Sequence, residues 1–225
     1  MQWVKEMAHG KEIEWLETIT IKSRLMKTII LTIVLLITTF LGYTQSAKLE
    51  NKWYSTAEAD FVFPNKFRYD YSTERGGTDD ELEPDGFLLK SFGAQYTYNY
   101  IFFKKLSVGA LAGVQTLSYP KDYFMLKVGG IIKFFFAGRN NIYIYTQVAH
   151  NFSTDNSKFK KGGSGRLGIG LPVFKRDNFN ITTNIFAQRI SLDLEGADPI
   201  YEFEGEVPMR LTMEGSFGIS FGIQF

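Results

Sequence analysis

Residues 209–225 limit the fold of this chain more than any other stretch. Met209, Leu211, Met213, Phe217, Ile219, Phe221, Ile223 and Phe225 take every second position, and only Gly215 interrupts them. Arg210, Thr212, Glu214, Ser216, Gly218, Ser220, Gly222 and Gln224 stand between them. A period of two sends the two sets to opposite faces of a β-strand. A strand of about 17 residues at ~3.4 Å each is longer than globular sheets normally use. An element oily along one whole face and small or polar along the other needs an apolar neighbour over its full length.

Seven more segments carry related patterns, and no long stretch after Leu49 shows the 3.6-residue apolar period of a helix. They run over 52–63, 87–101, 106–118, 124–136, 142–150, a segment marked by Leu167, Ile169, Leu171 and Val173, and 179–194. The second is the clearest, with Phe92, Ala94, Tyr96, Tyr98 and Tyr100 opposite Ser91, Gly93, Gln95, Thr97 and Asn99. In the seventh, Ile181, Ile185 and Ala187 share one parity while Ile190, Leu192 and Leu194 share the other, which predicts a bulge near 187–190. Pro172 lacks a ladder donor and is expected near a strand end. The connections at 102–105, 137–141 and 175–178 are short, whereas 64–86, 151–164 and 195–208 are long and polar. Short turns on one side and longer loops on the other fit an all-β, eight-stranded antiparallel up-and-down barrel across a bilayer.

Composition agrees and removes other classes. The 21 Phe and 12 Tyr beside 21 Gly favour strands with tight crossings. The absence of cysteine excludes disulfide staples, thiolate metal sites and cysteine nucleophiles. Balanced charge, 25 Lys and Arg against 24 Asp and Glu, argues against a nucleic-acid partner. Upstream, Lys22, Arg24 and Lys27 flank the apolar run Ile29–Leu41, which is too short to span comfortably and is followed by small residues. We therefore expect a non-native extension over 1–25, a start at Met26, a signal peptide over 26–44 and a barrel over 45–225.

An exported chain with eight amphipathic strands and a final strand ending in Phe225 resembles the small outer-membrane β-barrel proteins of Gram-negative bacteria. The resemblance covers residues 50–225 and implies residence in the cell outer membrane. It also implies that Phe217, Phe221 and Phe225 form the signal read by the barrel-assembly machinery. Outer-membrane lipid and lipopolysaccharide are the expected surroundings, with the barrel a monomer and no cofactor. Tyr98, Tyr100, Phe102, Phe174, Phe179 and Phe225 would form one aromatic girdle, and Phe63, Phe87, Tyr119, Tyr123 and Phe124 the other. A soluble lipocalin-like barrel is the competing fold, but it wants its oily residues inside.

On strand parity Glu58, Asp60, Lys127, Lys133, Arg166, Arg210 and Glu214 face the lumen, where unpaired charge is costly, so an ion-pair network plugging the interior is expected. Gly163-Ser164-Gly165-Arg166-Leu167-Gly168 matches G-x-G-x-x-G but leads into a strand, not a helix N-terminus, and reads as a loop end. The run from Glu81 to Gly86 resembles a calcium loop, yet its twelfth position is Phe92. Acids in the two loops flanking the barrel seam, Asp79, Glu81, Glu83, Asp85, Glu202 and Glu204, could gather a surface divalent cation. His150 and Ser153 faintly resemble the Ser-His pair of lipid A-deacylating barrels, but three residues apart they face opposite sides without a bulge. The expected role is therefore structural, or surface interaction through the loops. A lipid A-modifying hydrolase and a narrow channel for small solutes are the alternatives.

Overall fold

The computed structural model describes residues 52–84, 89–137, 141–155, 157–176, 178–201 and 203–225. The extension and signal peptide expected over 1–44 lie outside the described residues, as do Asp85, Phe87 and Glu202. Among the described residues ten strands follow in order: β1 (Trp53–Phe63), β2 (Lys66–Thr73), β3 (Gly76–Leu82), β4 (Ser91–Phe102), β5 (Leu106–Leu117), β6 (Tyr123–Phe135), β7 (Tyr143–Ser153), β8 (Lys161–Lys175), β9 (Asn180–Asp193) and β10 (Val207–Gln224). Neighbours in the sheet are antiparallel, and β1 pairs with β10 from Thr56↔Gln224 to Phe63↔Phe217. That pairing closes β1, β4, β5, β6, β7, β8, β9 and β10 into an eight-stranded barrel.

The segment 64–86 is not the loop its polarity suggests. β2 and β3 form a hairpin, and β2 pairs with the first half of β10 from Val207↔Ser72 to Glu214↔Lys66. The second half of β10 carries β1, so one strand of 18 residues serves the barrel below and the hairpin above. Among the described residues β3 pairs only with β2, leaving its other edge open.

Side-chain parity within the barrel follows the sequence. Phe92, Tyr96, Val114, Leu126, Ile132, Ile144, Leu167, Ile169, Ile185, Phe217 and Phe221 stand outward and exposed, while the alternate positions are buried and largely polar. Trp53 stacks on Tyr98 with ring centroids 5.0 Å apart, and Tyr100 meets Phe102 at 4.7 Å. With Phe174 and Phe179, 6.0 Å apart, they form the aromatic girdle at the short-turn end. A closed antiparallel barrel whose outer wall is an apolar band bordered by aromatics, and whose interior is polar, is an outer-membrane β-barrel. Only in hydrocarbon is that exterior favourable, and only closure satisfies its backbone there.

Three local expectations need correction. β9 keeps one parity throughout: Ile190 and Leu192 point inward beneath the loops, and Arg189 outward. The irregularity lies in its partner, between Met213 and Ser216, where Gly215 adopts a positive φ of 60°. A residue with a β-carbon is strained in that region, whereas glycine is not. Tyr123 is not a girdle residue, being buried inside with its ring against Phe159. The glycine-rich stretch 163–168 lies within β8, not at a loop end. Pro172 does sit near a strand end, at a register shift between Pro172 and Phe174 that removes the need for its missing donor.

Placing a charge at the outward position of Ile185 tests the band directly. Ile185→Arg is expected to destabilise the barrel by about 2–4 kcal/mol, and Ser72→Arg, outward on the hairpin, by less than about 1 kcal/mol. Urea unfolding in lipid vesicles measures both.

Candidate functional site

The lumen and the loop end are the two places where side chains converge. In the lumen, β1 supplies Glu58 and Asp60, β4 Gln95, β5 Gln115, β6 Lys127 and Lys133, β7 Gln147, β8 Arg166, and β9 Asn184 and Gln188, all buried. Each points inward because it occupies the parity opposite the apolar band. Arg166 Nη2 donates to Asp60 Oδ2 at 2.7 Å and to Gln188 Oε1 at 2.8 Å, and both partners of the ion pair are almost fully enclosed. Gln188 Nε2 and Lys127 Nζ both donate to Gln115 Oε1 at 3.1 Å, and Gln115 donates to Ser91 Oγ at 2.7 Å. A second layer centres on Glu58, which accepts from Gln95 at 2.6 Å and from Asn184 at 3.4 Å. Gln95 in turn meets Gln147 across the lumen at 3.1 Å.

Lys133 closes the short-turn end of this column. Its Nζ donates to Thr56 Oγ1 at 3.3 Å and lies 5.6 Å and 5.4 Å from the ring centres of Tyr54 and Tyr143, an arrangement in which ring faces help to hold a cation. Arg166 likewise stacks on Phe186, its guanidinium carbon 3.8 Å from the ring centre. Room for these rings comes from glycines: a β-carbon at Gly170 would lie 2.1 Å from Tyr143 Cζ.

Five of the seven charges expected in the lumen are there. Arg210 and Glu214 are not, because the turn at Gly215 reverses which parity faces inward above it. Arg210 is exposed, and Glu214 pairs on the outer wall with Arg189 at 2.8 Å. Leu211 and Met213 point inward in their place.

Above the polar layers the interior becomes apolar. Phe67, Tyr69, Leu117, Tyr123, Met125, Phe159, Ile190, Leu192, Leu194, Leu211 and Met213 are buried together. The loops are tied down over them by Asp198 N–H to Ser157 O at 2.9 Å, Lys160 N–H to Asp193 O at 2.9 Å and Lys121 Nζ to Pro199 O at 2.6 Å. Glu206, buried beneath the surface, accepts from the Tyr69 hydroxyl and from the backbone N–H groups of Ile200 and Tyr201. It thereby joins hairpin to loop. Sequence reading missed Glu206 because it looks like one more acid in a charged loop.

On top, Tyr71 meets Tyr201 and Phe203 edge to face at 5.8 and 5.9 Å, while Tyr201 and Phe203, both exposed, stack at 6.4 Å. Tyr71 donates to Asp80 at 3.0 Å. Burial, reinforced by the Asp80 charge, pushes the Tyr201 hydroxyl up to about 12, so it remains a neutral donor under physiological conditions.

The acids expected to gather a cation are otherwise engaged or apart. Glu81 pairs with Lys66 at 2.8 Å and Asp79 with Arg68 at 3.1 Å. The Lys66 ammonium lowers the Glu81 carboxyl below its usual range. Glu83 and Glu204 join no cluster of ligands, and among the described residues no metal-holding group of acids and histidines occurs. His150 and Ser153 also fail to meet: His150 points outward against Phe152 with centroids 4.6 Å apart, and Ser153 donates to the Asp155 carbonyl in a loop turn. Phe217 and Phe221 lie outward on β10, and Phe225 stands 6.5 Å from Tyr96.

No protein-family model matches the chain, and no curated protein matches it. Among solved structures, Neisserial surface protein A is similar over 77% of this chain and 96% of its own, at 12% identity and a TM-score of 0.41. The outer membrane protein OprG from Pseudomonas aeruginosa shares 12% identity over 77% of this chain and 96% of its own, with a TM-score of 0.42. Ail, the attachment invasion locus protein of Yersinia pestis, shares 13% identity over 78% of this chain and all of its own, with a TM-score of 0.36.

Removing Arg166 leaves Asp60 buried and unpaired. Arg166→Met is expected to cost about 3–5 kcal/mol, and adding Asp60→Asn to recover part of that loss. Urea titration of the three proteins in vesicles gives the coupling.

Proposed function

We propose that the chain is a non-conducting outer-membrane barrel whose work is done at its loop end, as a rigid surface platform. The observation that carries this reading is the folded cap. The β2–β3 hairpin and the 195–206 loop are joined through Glu206 and packed over an apolar core, and they present Tyr201 and Phe203 to the outside. Ordering a loop costs roughly 1–2 kcal/mol per residue, and exposed aromatics beside ordered polar groups are characteristic of surfaces that bind.

A pore is disfavoured by two successive fillings of the same lumen, one hydrogen-bonded and one oily. An eight-stranded interior is only wide enough for its own side chains. A hydrolase is disfavoured because His150 and Ser153 have no shared face. The same proposal includes assembly through Phe217, Phe221 and Phe225, and contact of the outer wall with lipopolysaccharide and other outer-membrane lipid.

Because the chain has no cysteine, single cysteines report position cleanly. Asp79→Cys is expected to react with a membrane-impermeant maleimide on intact cells, and Lys104→Cys only after the outer membrane is permeabilised. In planar bilayers the purified barrel is expected to give no stepwise conductance. Labelling of residue 104 on intact cells, or regular channel steps, contradicts the proposal.

A further inference from the structure

The outer wall over β7–β10 changes chemistry row by row. Reading across the registers, Thr146, Leu167, Ala187 and Phe217 lie side by side within the apolar band. One outward step higher come Val148, Gly165 and Arg189, the last paired with Glu214. Next come His150, Gly163 and Ser191, and then Lys161, Asp193 and Arg210. The border between hydrocarbon and lipid headgroups on this side therefore falls at the Arg189–Glu214 pair, with the following rows at headgroup height.

At that height the wall is hollow. A groove of about 790 Å³ opens there, lined by His150, Lys161, Gly163, Asp193 and Arg210. Its floor is bare backbone because Gly163 faces outward without a side chain, and Gly165 below it has open space where a β-carbon would stand. Below the groove, on the same outward column, Gly165 stands between Val148 and Arg189, and Leu167 follows inside the band.

The charges around the groove are unevenly used. Asp70 shares Arg68 with Asp79, each carboxylate 3.1 Å from the guanidinium, and Glu195 pairs with Lys160 at 3.1 Å. Asp193 accepts the Glu195 N–H at 3.2 Å. The side chains of Lys161 and Arg210 form no hydrogen bond or ion pair with any described residue, although each residue stands across from Asp193 in the register. Among the described residues the rim keeps two unpaired cations, Lys161 and Arg210, and the His150 ring, against Asp193 and an Asp70 whose arginine is shared.

We propose that this groove binds one phosphate-bearing lipid of the outer leaflet. Lys161, Arg210 and His150 take the phosphate, and an acyl chain lies along Gly163, Gly165 and Leu167. Charge-assisted bonds from an ammonium and a guanidinium are the strong contacts for such a group, and a glycine floor lets a chain approach the sheet closely. The site depends on the barrel spanning the membrane and is independent of what its cap binds.

Native mass spectrometry of the whole barrel in detergent tests it, with phosphatidylglycerol, digalactosyldiacylglycerol of matched tails and inorganic phosphate as probes. One saturable phosphatidylglycerol adduct is expected, with the galactolipid about tenfold weaker. Lys161→Gln with Arg210→Gln is expected to abolish that preference. Gly163→Val, which keeps every charge and meets no close atom, is expected to weaken the adduct about tenfold by filling the trough. Lys105→Gln with Lys175→Gln, at the opposite end, leaves it unchanged. Heat-modifiable gel mobility confirms that each variant is folded, and Gly165→Val replaces Gly163→Val if the latter is not. Equal retention of both lipids, unchanged binding by the charge or glycine variants, or displacement of the lipid by equimolar inorganic phosphate each overturns the assignment.

Discussion

Every backbone N–H and C=O that enters hydrocarbon must find its partner within the protein, because an unmet group costs several kcal/mol and lipid tails offer none. The pairing of β1 with β10 meets that demand by leaving the ring without a free edge. All the other arrangements depend on it. Once the backbone is satisfied, the outward positions can be entirely carbon, and the polar side chains that remain have only one another to bond. The Arg166–Asp60–Gln188–Gln115–Lys127 chain is the result, a polar core forced into existence by an apolar surface.

Along the axis the wall keeps its parity, except in β10 at Gly215, while the chemistry on each side exchanges. Through the band the exterior is oily and the interior polar. Above the Arg189–Glu214 pair the exterior is charged, and Phe67, Met125, Ile190 and Leu192 fill the inside. The upper part is organised like a water-soluble protein and the lower part like a membrane protein, on the same strands. Gly215 is the joint, since its backbone conformation lets β10 change partner from β1 to β2 and exchange the facing of Met213 for that of Phe217.

The period of two made the eight barrel strands legible, and on β1, β6 and β8 it also identified Glu58, Asp60, Lys127, Lys133 and Arg166 as inward. Errors arose where that rule was extended past a change of environment. Ile190, Leu192 and Leu194 read as a parity slip because oily residues were assumed to face lipid, when the solvent outside had become water. Arg210 and Glu214 were carried inward across Gly215 by a pattern that the bulge resets. In the hairpin, Phe67, Tyr69 and Tyr71 alternate with Arg68 and Asp70, a strand signal masked by the surrounding acids and glycines. Glu206 was invisible, since its importance comes from three donors supplied by residues remote from it or held by a loop turn.

The open edge of β3 has a consequence for life on a crowded surface. A ribbon with unmatched backbone groups invites a ribbon of another chain to add to it. Here that margin carries Asp79, Asp80 and Glu81 in succession. Charge along a margin of this kind is one of the ways native sheets discourage such addition, even where, as with Asp79 and Glu81, part of it is matched by Arg68 and Lys66 of the adjoining strand.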